Sequence, residues 1–195
     1  EETTYTKAGE VGAVTAECEA FTKPELGAEI KRDFNFTVTS PSDQRVSITS
    51  GYSAYWEKFS YVFWEKYTEA AFNEGTYRLQ LTMNSFAFSD GSYYALSSST
   101  TLTLNDVSFT AGKLYDHYDS QGLGSLIFYS PEYTVTKEEG TQLVTVTAGN
   151  NGLASADKVY GKTGEVVTLT AQPYDGYRLK EWRVLSGGVT VENNR

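Results

Sequence analysis

The strongest structural signal in the sequence is a strict alternation of large apolar and polar residues. Tyr77, Leu79, Leu81 and Met83 occupy every second position, with arginine, glutamine and threonine between them. Successive side chains of a β-strand point to opposite faces of the sheet, so an alternating run places one set of side chains on one face. The pattern therefore predicts a strand whose apolar face points into a core.

Similar short runs, separated by turn-forming residues, occur on both sides of this segment. Residues 34–38 alternate before a proline- and aspartate-containing turn at 41–43, and further runs lie at 101–104, 126–129 and 133–135. Proline presets φ and aspartate bonds its own backbone, which favours a turn. Strands at this spacing, in a chain with 15 Tyr, 10 Phe and 17 Gly, predict an all-β protein that forms an antiparallel sandwich.

Residues 55–72 fit two structures. Aromatic residues between Trp56 and Tyr67 stand at helical spacing, whereas residues 61–64 form an aromatic and β-branched run that suits a strand. We expect a strand that continues through Trp64, followed by a loop or a single helical turn.

The charge balance and the single cysteine exclude several classes of protein. The chain has 25 acidic and 16 basic residues, a formal net charge of −9, and its basic residues are scattered singly. Nucleic-acid binding requires a local basic surface, so we expect none. No run approaches the roughly 18 apolar residues of a membrane helix, so we expect no membrane insertion. Cys18, the only cysteine, allows neither an intramolecular disulfide nor a cysteine-based metal site.

The residues around the single histidine lack the surroundings that catalysis or metal binding requires. His117 lies between Asp116 and Asp119, with Ser120 and Gln121 following. A nucleophilic serine normally needs flanking glycines in a strand–turn–helix setting, and none is found here. The acidic residues also lack the ligand spacing of a helix-flanked calcium loop. We therefore predict no catalytic residues, no metal and no cofactor.

The character of the chain changes after a charged, glycine-ended link at residues 137–140. We expect strands over residues 144–148, 166–171 and 177–184, with Trp182 as a core anchor. The order of landmarks is Gly-Glu-Val-Val-Thr-Leu-Thr-Ala-Gln-Pro at 164–173, Asp-Gly-Tyr at 175–177, Glu-Trp at 181–182 and Gly-Val-Thr-Val at 188–191.

This order of landmarks resembles the internalin-type B-repeat, and more closely its divergent relatives in bacterial surface proteins, over residues 142–195. The resemblance implies a small β-grasp-like unit that acts as a spacer or an adhesive module and has no catalytic residues. The usual last strand of such a repeat does not follow Arg195. We therefore also consider the interpretation that the module lacks its last strand.

The first part of the chain resembles, more loosely, the Ig-like sandwich modules found beside such repeats. The resemblance covers about residues 20–136. It rests on Pro24 with Gly27, the aromatic run 61–64, Phe72 with Gly75 and Tyr77, Phe88, and the run at 101–105. The predicted organisation is a leader or edge strand over residues 1–19, an Ig-like antiparallel sandwich over residues 20–138 and a β-grasp-like B-repeat module over residues 139–195.

The aromatic cluster between Tyr52 and Trp64 is the best candidate for a binding surface. Alternation places about half of these rings in the core, and clustered rings on the surface tend to mark interaction sites. We expect Trp56 to be the main ligand-binding residue, with Tyr55 and Tyr52 beside it. Exposed tryptophan and tyrosine rings on a sandwich can stack on sugar rings.

The sequence thus predicts a non-catalytic, adhesive or spacer module of a bacterial secreted or cell-surface protein, located outside the cell or on its surface. The expected partner is a host or cell-wall glycan or protein. The alternative is a carbohydrate-binding accessory segment of a larger secreted enzyme. The two differ in whether Trp56 and its neighbours are exposed on one flat face.

Overall fold

The computed structural model describes residues 5–49, 54–115 and 123–192. These three ranges contain strands, turns and loops but no helix, which confirms the predicted all-β class. The chain divides into two compact units, Glu1–Lys137 and Glu138–Arg195.

The described part of the first unit contains twelve strands, most of them short. In chain order they are β1 (Thr6–Glu10), β2 (Ala13–Glu17), β3 (Thr37–Ser40), β4 (Val46–Ile48), β5 (Tyr55–Ser60), β6 (Phe63–Lys66), β7 (Gly75–Ser85), β8 (Ser92–Ala95), β9 (Thr101–Leu104), β10 (Val107–Tyr115), β11 (Ser125–Tyr129) and β12 (Tyr133–Val135).

These strands form a sandwich because β10 changes its partner halfway along its length. Residues 107–109 pair with β9, and residues 110–115 pair with β11. One half of the sheet therefore has the order β3-β2-β9-β10 and the other the order β10-β11-β7-β5-β6, with β4 and β12 also paired to β7. Apolar side chains from both halves meet in one core, which confirms the predicted sandwich.

The central strand of the first unit is β7, which has partners on both edges. It pairs with β11 and β12 on one edge and with β5 and β4 on the other. Between β11 and β12 the Ser130 hydroxyl accepts a hydrogen bond from the Leu79 N–H at 2.8 Å, and the Ser130 N–H donates to the Leu79 carbonyl at 2.9 Å. Tyr77, Leu79, Leu81 and Met83 are completely buried, as their alternation predicts.

The N-terminal strands are an integral part of the sandwich. Strand β1 pairs with β8 and strand β2 with β9, and both pairs are parallel. The Val11 N–H also donates to the Ala95 carbonyl at 2.8 Å, which extends the pairing of β1 with β8. Strand β2 lies between β3 and β9, and its pairing with β9 is parallel, so the sandwich is not purely antiparallel. The assignment of residues 1–19 to a leader or edge strand stays a prediction.

Residues 55–66 form a hairpin instead of one continuous strand. Strands β5 and β6 are antiparallel, and the pair Ser60–Phe63 closes a turn made of Tyr61 and Val62. Neither residue belongs to the glycine, asparagine and aspartate group that usually signals a two-residue turn. The sequence pattern therefore gave no sign of the reversal.

The described part of the second unit has four short strands in two separate antiparallel pairs. Strand β13 (Thr141–Leu143) pairs with β15 (Tyr160–Lys162), and β14 (Gly152–Ala156) pairs with β16 (Leu169–Pro173). The two pairs are not joined into one sheet, so the β-grasp-like arrangement stays a prediction.

Three strand predictions for the second unit need correction. Residues 144–148 and 177–184 are not strands, and the strand expected at 166–171 begins only at Leu169. Trp182, the expected core anchor, is only half-buried.

We expect the substitution Leu81→Ala to lower the free energy of unfolding of the first unit by about 2–5 kcal/mol, because it leaves a cavity beside the central strand. Urea denaturation followed by tryptophan fluorescence measures the change. The control is Thr82→Ala on the opposite face of β7, where the side chain is only half-buried. Equal effects of the two substitutions would contradict the assignment of the core face.

Candidate functional site

Trp56, the predicted main ligand-binding residue, is a core residue. Its exposed fraction is 3%, and three other rings surround it. The ring centroids of Phe21, Phe72 and Tyr133 lie 6.0, 5.2 and 6.1 Å away. The expectation that Trp56 offers a ring to a ligand is therefore corrected, because alternation along β5 turns this side chain inward. Tyr52, the third predicted residue, lies outside the described residues.

Tyr55 lies on the opposite, outer face of β5 and is half-buried. Its hydroxyl accepts a hydrogen bond from the Gln80 side-chain amide at 2.6 Å. The Lys66 ammonium lies 4.7 Å from the centroid of the Tyr55 ring. Burial, and then the charge of nearby Glu57, raise the pKa of Tyr55 above its ordinary value. Tyr55 therefore lies on the outer face of the sheet, as part of a wider cluster.

This outer-face cluster consists of Tyr55, Glu57, Trp64, Arg78 and Tyr129. The Arg78 guanidinium carbon lies 4.2 Å from the ring centroid of Trp64 and 3.8 Å from that of Tyr129, so the cation stacks between two aromatic rings. Arg78 Nε donates to a carboxylate oxygen of Glu57 at 2.6 Å. The two residues are directly opposite each other on β5 and β7, which places their side chains on one face.

The ion pair at the centre of the cluster is largely withdrawn from water. The exposed fraction of the side chain is 9% for Glu57 and 19% for Arg78. Because Glu57 neutralises Arg78, the cluster offers no spare positive charge to an acidic ligand. Trp64 and Tyr129 already use ring surface to hold the guanidinium, so the cluster is a packed surface and offers only part of its aromatic area to a ligand.

The end of the hairpin exposes four large apolar side chains, which we call the apolar tip. It consists of Phe59, Tyr61, Val62 and Phe63, with exposed fractions of 44%, 94%, 83% and 54%. Tyr61 also has a φ of 56°, in the left-handed region that glycine and asparagine enter more easily. For a residue with a large side chain this conformation costs about 1–2 kcal/mol.

Fold stability does not explain the residues of the apolar tip. A polar residue that tolerates positive φ, such as asparagine, would relieve the backbone strain at Tyr61 and reduce the exposed apolar surface. Strained backbone and exposed aromatic rings both occur frequently at sites that bind a partner. The apolar tip is therefore the best candidate for a contact surface in the described part of the chain.

The described residues contain no group of three or more histidine, cysteine, aspartate or glutamate side chains placed to hold a metal ion. His117 and the acidic residues around it fall in 116–122, outside the described ranges. No helix in the described ranges is long and apolar enough to cross a membrane.

We expect Arg78→Ala to lower the free energy of unfolding by roughly 3 kcal/mol, because it leaves the shielded Glu57 carboxylate without its partner. Urea denaturation measures the loss. The control is Lys7→Ala, which breaks the exposed pair with Glu10 and is expected to lower the stability far less, because water screens that pair. A loss for Arg78→Ala as small as that of the control would show that the outer-face cluster does not stabilise the sheet.

The raised pKa values of Tyr55 and Tyr129 predict a loss of stability at alkaline pH. Burial is the main cause for both, and the charge of Glu57 is the second. A folded-state pKa above the unfolded value contributes stability that is complete below the unfolded pKa and disappears as the pH rises through the folded pKa. Urea midpoints measured between about pH 8 and pH 11 should therefore fall above about pH 10.

The double substitution Tyr55→Phe with Tyr129→Phe should make this alkaline decline shallower, because it removes both hydroxyls that must ionise. Tyr61→Phe is the matched control at an exposed position and should leave the decline as it is. An identical decline in the double variant and the parent chain would contradict the prediction.

Comparison with known families gives one finding, and it concerns the second unit. Residues 142–195 match the family model described as "Divergent InlB B-repeat domain", which confirms the resemblance predicted from the sequence. The comparison with curated proteins and the comparison with solved structures each gave no match. The C-terminal part of the chain is thus similar to a divergent B-repeat over residues 142–195.

Proposed function

We propose that the chain is a non-catalytic adhesive module of a bacterial secreted or cell-surface protein and that it acts outside the cell. The B-repeat match over residues 142–195 supports the surface location. The observation that carries the adhesive role is the apolar tip of the β5–β6 hairpin, where large side chains are exposed around a strained turn. Aromatic residues of this kind supply much of the binding energy in protein interfaces.

The charge pattern around the apolar tip indicates an uncharged partner surface. Residues 59–64 carry no charged side chain. At the base of the tip the strands pair Lys58 with Glu65 and Glu57 with Lys66, so opposite charges balance. The chain as a whole has a net charge of −9, which disfavours acidic partners. We therefore propose that the tip recognises an apolar patch on a host protein or the apolar face of a glycan.

A carbohydrate-binding accessory segment of a secreted enzyme is the second candidate. The exposed rings of Phe59, Tyr61 and Phe63 favour it, because flat rings stack on the C–H faces of sugars. The burial of Trp56 removes the residue on which this hypothesis first rested. In this proposal Tyr55 adds a hydroxyl that already bonds Gln80 at the edge of the cluster.

We expect the parent chain to bind on a glycan array or on a panel of immobilised extracellular-matrix proteins, and the double substitution Tyr61→Asn with Val62→Gly to weaken that binding at least tenfold. The substitutions introduce asparagine and glycine, which suit a two-residue turn, so the hairpin should remain folded. A tenfold loss corresponds to about 1.4 kcal/mol, which is within the range expected for removing one aromatic contact.

The matched control for this experiment is Val166→Ser, which removes an exposed apolar side chain from the second unit. It should leave binding unchanged. Binding to glycans alone would favour the carbohydrate-binding candidate over a protein-binding adhesin. An absence of binding by the parent chain on both surfaces would contradict the adhesive role and leave a spacer.

A further inference from the structure

The side chains of Lys58 and Asn73 meet at the end of the core of the first unit. Lys58 lies on β5, and Asn73 lies two residues before β7 begins at Gly75. The Lys58 ammonium donates a hydrogen bond to Asn73 Oδ1. An amine and a primary carboxamide are therefore held in direct contact.

Neighbouring residues restrict the position of the Lys58 side chain. Its nitrogen lies 5.5 Å from the ring centroid of Tyr67 and 5.4 Å from that of Tyr77, and both rings are buried. The stem crosses Gly75 so closely that a Cβ at residue 75 would collide with Cε of Lys58. The two buried rings, and the absence of a side chain at Gly75, thus direct the Lys58 amine toward Asn73.

The carboxamide of Asn73 is also fixed. The hydroxyl of Tyr77 lies 2.7 Å from Asn73 Oδ1 and 2.9 Å from the backbone carbonyl oxygen of Asn73. Donation to Oδ1 draws electron density from the amide carbon and stabilises negative charge on the oxygen if a nucleophile adds. Tyr77 is completely buried on the central strand, so this donor is held in place.

We propose that Lys58 and Asn73 join in an intramolecular amide bond. The Lys58 ammonium first gives one proton to water, its amine nitrogen then adds to Cγ of Asn73, and Tyr77 stabilises the charge that develops on Oδ1. A proton then passes from Nζ to Nδ2. The Cγ–Nδ2 bond breaks and ammonia leaves, whereas the new Nζ–Cγ bond stays in the product. An amine and a primary amide thus give a secondary amide and ammonia, with no oxidant, metal or cofactor.

Proximity is the feature that makes this reaction feasible within a fold. Holding two reacting groups in contact supplies an effective concentration of about 10⁵ M or more, whereas amines and amides free in water react extremely slowly. Both side chains are only partly buried, so ammonia has a route to solvent. The bond would fix β5 covalently to the chain segment that enters β7.

The mass of the intact, denatured chain tests the proposal. We expect it to be lower than the mass calculated from the sequence by one ammonia molecule. The variants Lys58→Arg and Asn73→Ala should each have the full calculated mass. A parent chain with the full calculated mass would overturn the proposal whether or not the variants fold.

One other reaction loses ammonia, the cyclisation of Asn73 onto the backbone of Glu74, and Lys58→Arg separates the two. Cyclisation would persist in that variant, and this result would overturn the cross-link. Proteolysis followed by tandem mass spectrometry should also give a branched peptide that joins residues 58 and 73. Lys66→Arg, a substitution of another β5–β6 hairpin lysine, is the matched control and should retain the loss of ammonia.

Discussion

The register of β5 against β7 is the constraint on which the rest of the first unit depends. With Glu57 opposite Arg78, Trp56 enters the core between Phe21 and Phe72, and Tyr55 faces outward beside Gln80. A slip by one residue would exchange the two faces of the strand and bury the Glu57 carboxylate among apolar rings. On its other edge β7 pairs with β11 and β12, so it connects the hairpin to the rest of the sheet.

That register explains how an exposed apolar surface arises on a strand that also supplies the core. The inner face of β5 ends with Lys58 at the edge of the core. Beyond Lys58 the two hairpin strands extend to their last pair, Ser60 with Phe63, and the turn follows. Side chains there have no second layer to cover them, so Tyr61 and Val62 remain in water. The outer-face cluster packs Arg78 of β7 against Trp64 at the base of the hairpin, and the apolar tip lies beyond these contacts.

The two units differ in how they use apolar residues. The first buries them around β7, whereas most of the large apolar side chains described in the second, among them Val166 and Leu185, are exposed. A small β-module has little interior for its surface area, so its hydrophobic stabilisation is limited. The family match over residues 142–195 therefore says more about the second unit than its packing does.

The sequence by itself determined the all-β class, the core face of β7 and the B-repeat, because each depends on local alternation or on an ordered set of landmarks. It could not determine the reversal at Tyr61, the parallel pairing of β1 and β2, or which ring of the aromatic cluster is exposed. Those features depend on which strands become neighbours and in what register, and contacts distant in sequence decide both. Only the tertiary structure could therefore bury Trp56, stack Arg78 between two rings and bring Lys58 to Asn73.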